Sequence, residues 1–109
     1  MEARPRVLQK YLTESGRCPF DEWLEGLRDK RSQAIVATRL NRVVQGNFGL
    51  CRALEGGIQE LKIDFGPGFR VYFAEDGDTI VVLLCGGDKA TQSKDIEKAQ
   101  AYWAEYQRE

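Results

Sequence analysis

The sequence predicts an α+β domain, a mainly antiparallel sheet packed by helices in the order β-α-α-β-β-β-β-α. Three observations carry this. Residues 57–92, GIQELKIDFGPGFRVYFAEDGDTIVVLLCGGDKATQ, read as three strands broken by Gly66-Pro67-Gly68 and by the hairpin signal Asp76-Gly77. Before that stretch, Phe20, Trp23, Leu24 and Leu27, and then Val36, Leu40, Val43 and Val44, recur at helical spacing. After it, Ile96, Ala99, Trp103 and Tyr106 do the same.

In chain order, a first strand falls within residues 6–12, where Val7, Gln9 and Tyr11 alternate with Leu8, Lys10 and Leu12, and Ser15-Gly16 closes it. Pro19 suits the first position of a helix, and Asp21 and Glu22 meet the positive end of its dipole. Trp23 is read as core. Residues 28–31 lead to a second helix, about 32–45, which Gly46-Asn47 ends. A short strand follows at 50–54, up to Gly56-Gly57. Leu61, Ile63 and Phe65 then alternate with Glu60, Lys62 and Asp64, and Phe69, Val71 and Phe73 with Arg70, Tyr72 and Ala74. Residues 79–85 are apolar on both faces, as a central strand requires. Thr91 or Ser93 caps the last helix, with Asp95 and Glu97 in its first turn.

The expected register sets Phe65 opposite Phe69 across the Gly-Pro-Gly turn, Asp64 opposite Arg70 and Lys62 opposite Tyr72. Lys62, Asp64, Arg70 and Tyr72 then share one open face and the apolar side chains the other; a slip of one residue would bury the charges. An Asp64–Arg70 pair on a solvated face is worth ~0.2–1 kcal/mol, so an ordinary surface stands as one reading of this face.

A chain of 109 residues, 42% hydrophobic and 30% charged, is expected to form one domain over 1–109 with a single core. Its net charge of −1 exerts no general pull on nucleic acid, so such binding needs a local patch. The helical pair offers one: Arg28, Lys30, Arg31, Arg39 and Arg42 have Asp29 as their nearby acid. They form either a solvated face or a surface that lies on a phosphate backbone. Cys18, Cys51 and Cys85 are odd in number and lack metal spacing, which fits reduced thiols in the cytoplasm. No apolar run approaches the ~20 residues of a membrane span, and the start lacks a secretory h-region.

The absence of histidine excludes histidine triads and histidine metal sites. The glycine pairs are too short to cradle a nucleotide phosphate on a helix, and the carboxylates are scattered, so neither cofactor nor metal is expected. What remains is Lys62 and Arg70 on one sheet face, with Lys89 where the last strand exits. Such cations can stabilise charge growing on phosphate oxygens.

ELKIDFGPGFRVYF followed by VVLLCGGDKATQSKDIEKA, with Phe20-Asp21-Glu22-Trp23-Leu24 and Gly46-Asn47-Phe48-Gly49, closely resembles the addiction-module killer proteins, HigB-like toxins of the RelE/ParE superfamily. The resemblance covers nearly the whole chain. It implies a type II toxin that cleaves mRNA in the ribosome and is silenced by a helix-turn-helix antitoxin. Arg70 matches the arginine that contacts the scissile phosphate, Lys62 a basic position on the preceding strand, and Lys89 the basic residue after the last strand. Arg52, Tyr72 and Gln92, with the helical cations, complete the expected RNA and ribosome contacts. No histidine or tyrosine follows Lys89 closely, so the general acid is unassigned. The expected reaction is metal-independent: a ribose 2′-OH attacks its own 3′-phosphate, with Lys62 as base, Arg70 on the phosphorane and Lys89 on the leaving oxygen. A ParE-like gyrase inhibitor, or a toxin-derived module that only binds a partner or RNA, is the alternative.

Overall fold

Capping and turn chemistry place the elements of the computed structural model, which describes residues 4–108. Strand β1 is Val7–Lys10, and helix α1, Pro19–Glu25, begins with its proline in the first turn. Helix α2, Lys30–Val44, starts two residues earlier than expected because Asp29 caps it, accepting from the Arg31 N–H at 2.9 Å. It stops in a Schellman motif: Asn47 N–H reaches the Arg42 carbonyl and Gly46 N–H the Val43 carbonyl, both at 2.8 Å, with Gly46 at φ +89. Strands β2 (Cys51–Ala53), β3 (Gln59–Ile63), β4 (Phe69–Asp76) and β5 (Ile80–Asp88) follow. A 3-10 turn, Lys89–Thr91, leads into helix α3, Gln92–Gln107. Asp88 caps that turn by accepting from the N–H groups of Ala90 and Thr91.

The five strands form one sheet in the order β1-β5-β4-β3-β2. β1 runs parallel to β5, and the other pairs are antiparallel. The β3–β4 register departs from the expectation by two residues: Ile63 faces Phe69, Lys62 faces Arg70 and Glu60 faces Tyr72. The reason lies in the turn. Phe65 N–H bonds back to the Ile63 carbonyl at 2.9 Å, which takes Asp64 out of the ladder before Gly68 N–H closes on Phe65 at 3.0 Å. Asp64 therefore does not pair with Arg70. The β4–β5 connection is also longer than a two-residue hairpin, since Asp76 pairs with Ile80.

A shift of two preserves which side chains share a face. Leu61, Ile63, Phe69, Val71 and Phe73 pack with Phe20 of α1 and Val36, Leu40 and Val43 of α2. On the other face Tyr72, Ala74, Val82 and Leu84 pack with Ala99 and Trp103 of α3. Full burial of one such aliphatic or aromatic side chain contributes about 1.5–3 kcal/mol. Setting two like charges opposite each other costs roughly 0.2–1 kcal/mol. The turn therefore sets the register, and the burial it allows outweighs the cost of setting Lys62 against Arg70. Gly86 lets α1 approach: a Cβ there would lie 2.2 Å from the Trp23 ring. Among the described residues no helix is long and apolar enough to cross a membrane.

Candidate nucleic-acid site

The second face of the sheet was expected to be open, and α3 covers much of it. Tyr72 is fully buried in the α3 cluster, a correction to its reading as an exposed RNA contact. The pairing of Tyr72, Ala74 and the β5 side chains with the apolar stripe of α3 explains this, since a tyrosine contributes apolar area as long as its hydroxyl finds a partner. What stays open is a cleft of about 290 Å³ between the β2 edge and the start of α3, lined by Leu50, Cys51, Arg52, Glu60, Lys62, Arg70 and Gln92.

Glu60 ties this cleft together, and its role was missed in the sequence, where it counted among the scattered carboxylates. Its side chain is 3% exposed. Oε1 accepts from Arg52 Nε at 2.8 Å; Oε2 accepts from Gln92 Nε2 at 2.8 Å and from the Tyr72 hydroxyl at 3.2 Å. Burial alone would raise its pKa, but the hydrogen bonds from Gln92 and Arg52, the Arg52 charge and the Tyr72 hydroxyl together outweigh it, so the carboxyl is held below the ordinary 4.5. Burial, with the Glu60 charge next, pushes the Tyr72 hydroxyl upward, so Tyr72 remains a neutral donor.

Arg70, 6% exposed, is fixed from both ends. Nη1 donates to the carbonyls of Gly68 at 3.0 Å and Phe69 at 3.4 Å. Nε lies 3.8 Å from Glu60 Oε2, within ion-pair range but without a hydrogen bond. Nη2 carries no hydrogen bond among the described residues and is not sealed from solvent as Nε is, so it is the nitrogen left for an anion in the cleft. Lys62, exposed on β3, is the cross-strand neighbour of Arg70.

The remaining candidates lie apart. Lys89 is exposed on the 3-10 turn beside Gly68, on the flank of Arg70, and does not line the cleft. Arg28, Lys30, Arg31 and Arg42 are exposed and form no ion pair among the described residues; Arg31 lies over the Phe65 ring at 5.5 Å. They belong to the α1–α2 layer, across the sheet from the cleft. Arg39 differs from them: it donates to the carbonyls of Phe48 at 3.0 Å, Lys62 at 3.2 Å and Leu50 at 3.4 Å. Burial, aided by neighbouring Arg42, lowers its pKa. Arg39 ties α2 to the β2–β3 edge.

The sheet and helices define an α+β protein of RelE-like architecture with a cationic cleft. Residues 22–105 match the family "Phage derived protein Gp49-like (DUF891)". The chain belongs to this Gp49-like family, a toxin-like family of toxin–antitoxin systems. It is also similar to an uncharacterized protein of Haemophilus influenzae, 47% identical over 81 residues, which span 74% of this chain and 82% of the relative.

Proposed function

We propose that the protein is the toxin of a type II toxin–antitoxin pair and acts as a ribosome-dependent mRNA endoribonuclease in the cytoplasm. The observation that carries this reading is the direct pairing of Lys62 with Arg70 at a cleft that also holds Arg52. A phosphodiester entering this cleft meets Nη2 of Arg70, where the phosphorane charge grows. Lys62, the exposed neighbour, takes the proton of the attacking 2′-OH. The bond from phosphorus to the 5′-oxygen breaks, leaving a 2′,3′-cyclic phosphate, and the departing oxygen, met by Lys89 on the flank, takes a proton from solvent to become a 5′-OH.

This equipment is modest, and the ribosome supplies the rest: orientation of bound message can provide ~7–11 kcal/mol of the barrier. The unpaired cations of the α1–α2 layer, Arg28, Lys30, Arg31 and Arg42, are placed to lie on ribosomal RNA while the opposite face works on the message. The partner that silences the toxin is a helix-turn-helix antitoxin, as the likeness to HigB-like proteins implies.

Brief induction of the protein in growing bacteria tests this reading. Translation should stop while plasmid supercoiling is retained, and mRNA should acquire new 5′ ends within translated frames. Lost supercoiling with intact mRNA would replace the nuclease with a gyrase inhibitor.

A further inference from the structure

The geometry points to Glu60 as the positioning residue of the cleft: its carboxylate holds Arg52, Arg70 and Gln92, from three separate elements, in the arrangement that receives the scissile phosphate. This rests on the nuclease reading above. Both Glu60 oxygens are taken by Arg52, Gln92 and Tyr72, so it acts through its partners. Each partner needs it. Arg52 stands on a three-residue edge strand with its side chain 60% exposed, and Glu60 is the group that fixes its guanidinium. Gln92 opens α3 and reaches across to the sheet through the same carboxylate. Arg70 has carbonyls on Nη1 alone, and Glu60 is the acid facing its Nε.

The charge balance fits the same role. A site built only to hold an anion would gain nothing from a buried carboxylate. Here Arg52 and Arg70 outnumber Glu60 by one positive charge, and Lys62 adds a second as it takes the 2′-OH proton. That matches the phosphorane, which carries one negative charge more than the diester from which it forms, and favours the transition state over the ground state. Organised in this way, the arginines need not reorient as the charge develops.

The test compares wild-type protein with Glu60→Gln, which keeps the shape of the side chain and removes its charge. On programmed ribosomes the variant should lose on the order of 10²-fold in kcat with KM little changed, the signature of groups misplaced for the transition state. In the isolated protein, the Nε–H resonances of Arg52 and Arg70 should shift or broaden in the variant while its melting transition stays cooperative. Unchanged arginine resonances, or altered resonances with wild-type kcat, would overturn the assignment. Should Glu60→Gln fail to fold, Glu60→Asp decides: it keeps the charge but draws the carboxylate one methylene away from Arg52 and Gln92, so kcat should fall in a folded protein with shifted Arg52 and Arg70 Nε–H signals, and wild-type kcat overturns the assignment. Ordered arginine signals in a wild-type protein that cuts no message would instead count against the nuclease reading.

Discussion

Arg70 Nε and Glu60 Oε2 face each other at 3.8 Å inside the sheet–helix cleft, with side chains only 7% and 3% exposed. The separation is too long for a hydrogen bond and short enough for ion pairing, which leaves the guanidinium attracted but not saturated. Glu60 in turn is satisfied by Arg52, Gln92 and Tyr72, so its charge is tolerated at a depth where an unpaired carboxylate would be neutralised.

Acid should therefore destabilise the protein through Glu60. Its folded pKa lies below the ordinary 4.5, so the native state releases this proton more readily than the unfolded chain does. The stabilisation is fully present above the unfolded value and is lost as pH falls through the folded one. Urea midpoints measured between about pH 6 and pH 3 should fall less steeply for Glu60→Gln than for wild type. Parallel curves would show that the carboxyl is not held in its charged form.

Gly86→Ala should destabilise without touching the cleft. The added Cβ would stand 2.2 Å from the Trp23 ring, and α1 would have to move off β5. Overpacking of this kind costs about 1–3 kcal/mol, visible as a lower melting temperature. A variant as stable as wild type would mean that α1 seats less tightly than described.

The helical cations should divide into two kinds. Lys30→Glu with Arg31→Glu and Arg42→Glu should weaken co-sedimentation with ribosomes and make its salt dependence shallower, because phosphate contacts release counterions. Their exposure predicts stability within about 0.5 kcal/mol of wild type. Arg39→Ala should behave in the opposite way, losing about 2 kcal/mol of stability as three backbone carbonyls lose a charged donor. Ribosome binding unaffected by the triple change would return these residues to an ordinary solvated surface.

Much of the fold was legible because each element carries its own periodicity and punctuation. The helix end at Gly46 and the alternation along β3 and β4 are local signals that the structure follows, whereas the Asp29 cap went unread and α2 begins two residues before its expected start. The β3–β4 register was not legible, because nothing in the alternation reveals that Phe65 turns back onto Ile63 and removes Asp64 from the ladder. The error of two residues kept Lys62 and Arg70 on one face but hid Glu60, which sits two positions before Lys62 and faces Tyr72. The burial of Tyr72 was written in α3 rather than in the strand. The Ala99–Trp103 stripe required an apolar surface, and the second sheet face was the one not already taken by α1 and α2.

RNA cleavage in this cleft depends on the guanidinium of Arg70. Purified wild-type protein and Arg70→Lys are incubated with message on programmed ribosomes and, in parallel, with the same RNA alone. The wild type should cut the ribosome-bound message and leave the naked RNA largely intact. Arg70→Lys, folded and still charged, should be slower by on the order of 10²–10³, because an ammonium cannot reproduce the planar contact with phosphate oxygens. A folded Arg70→Lys variant that cuts as fast as wild type, or a wild-type protein that leaves the ribosome-bound message whole, would contradict the assignment of this cleft as the site of RNA cleavage.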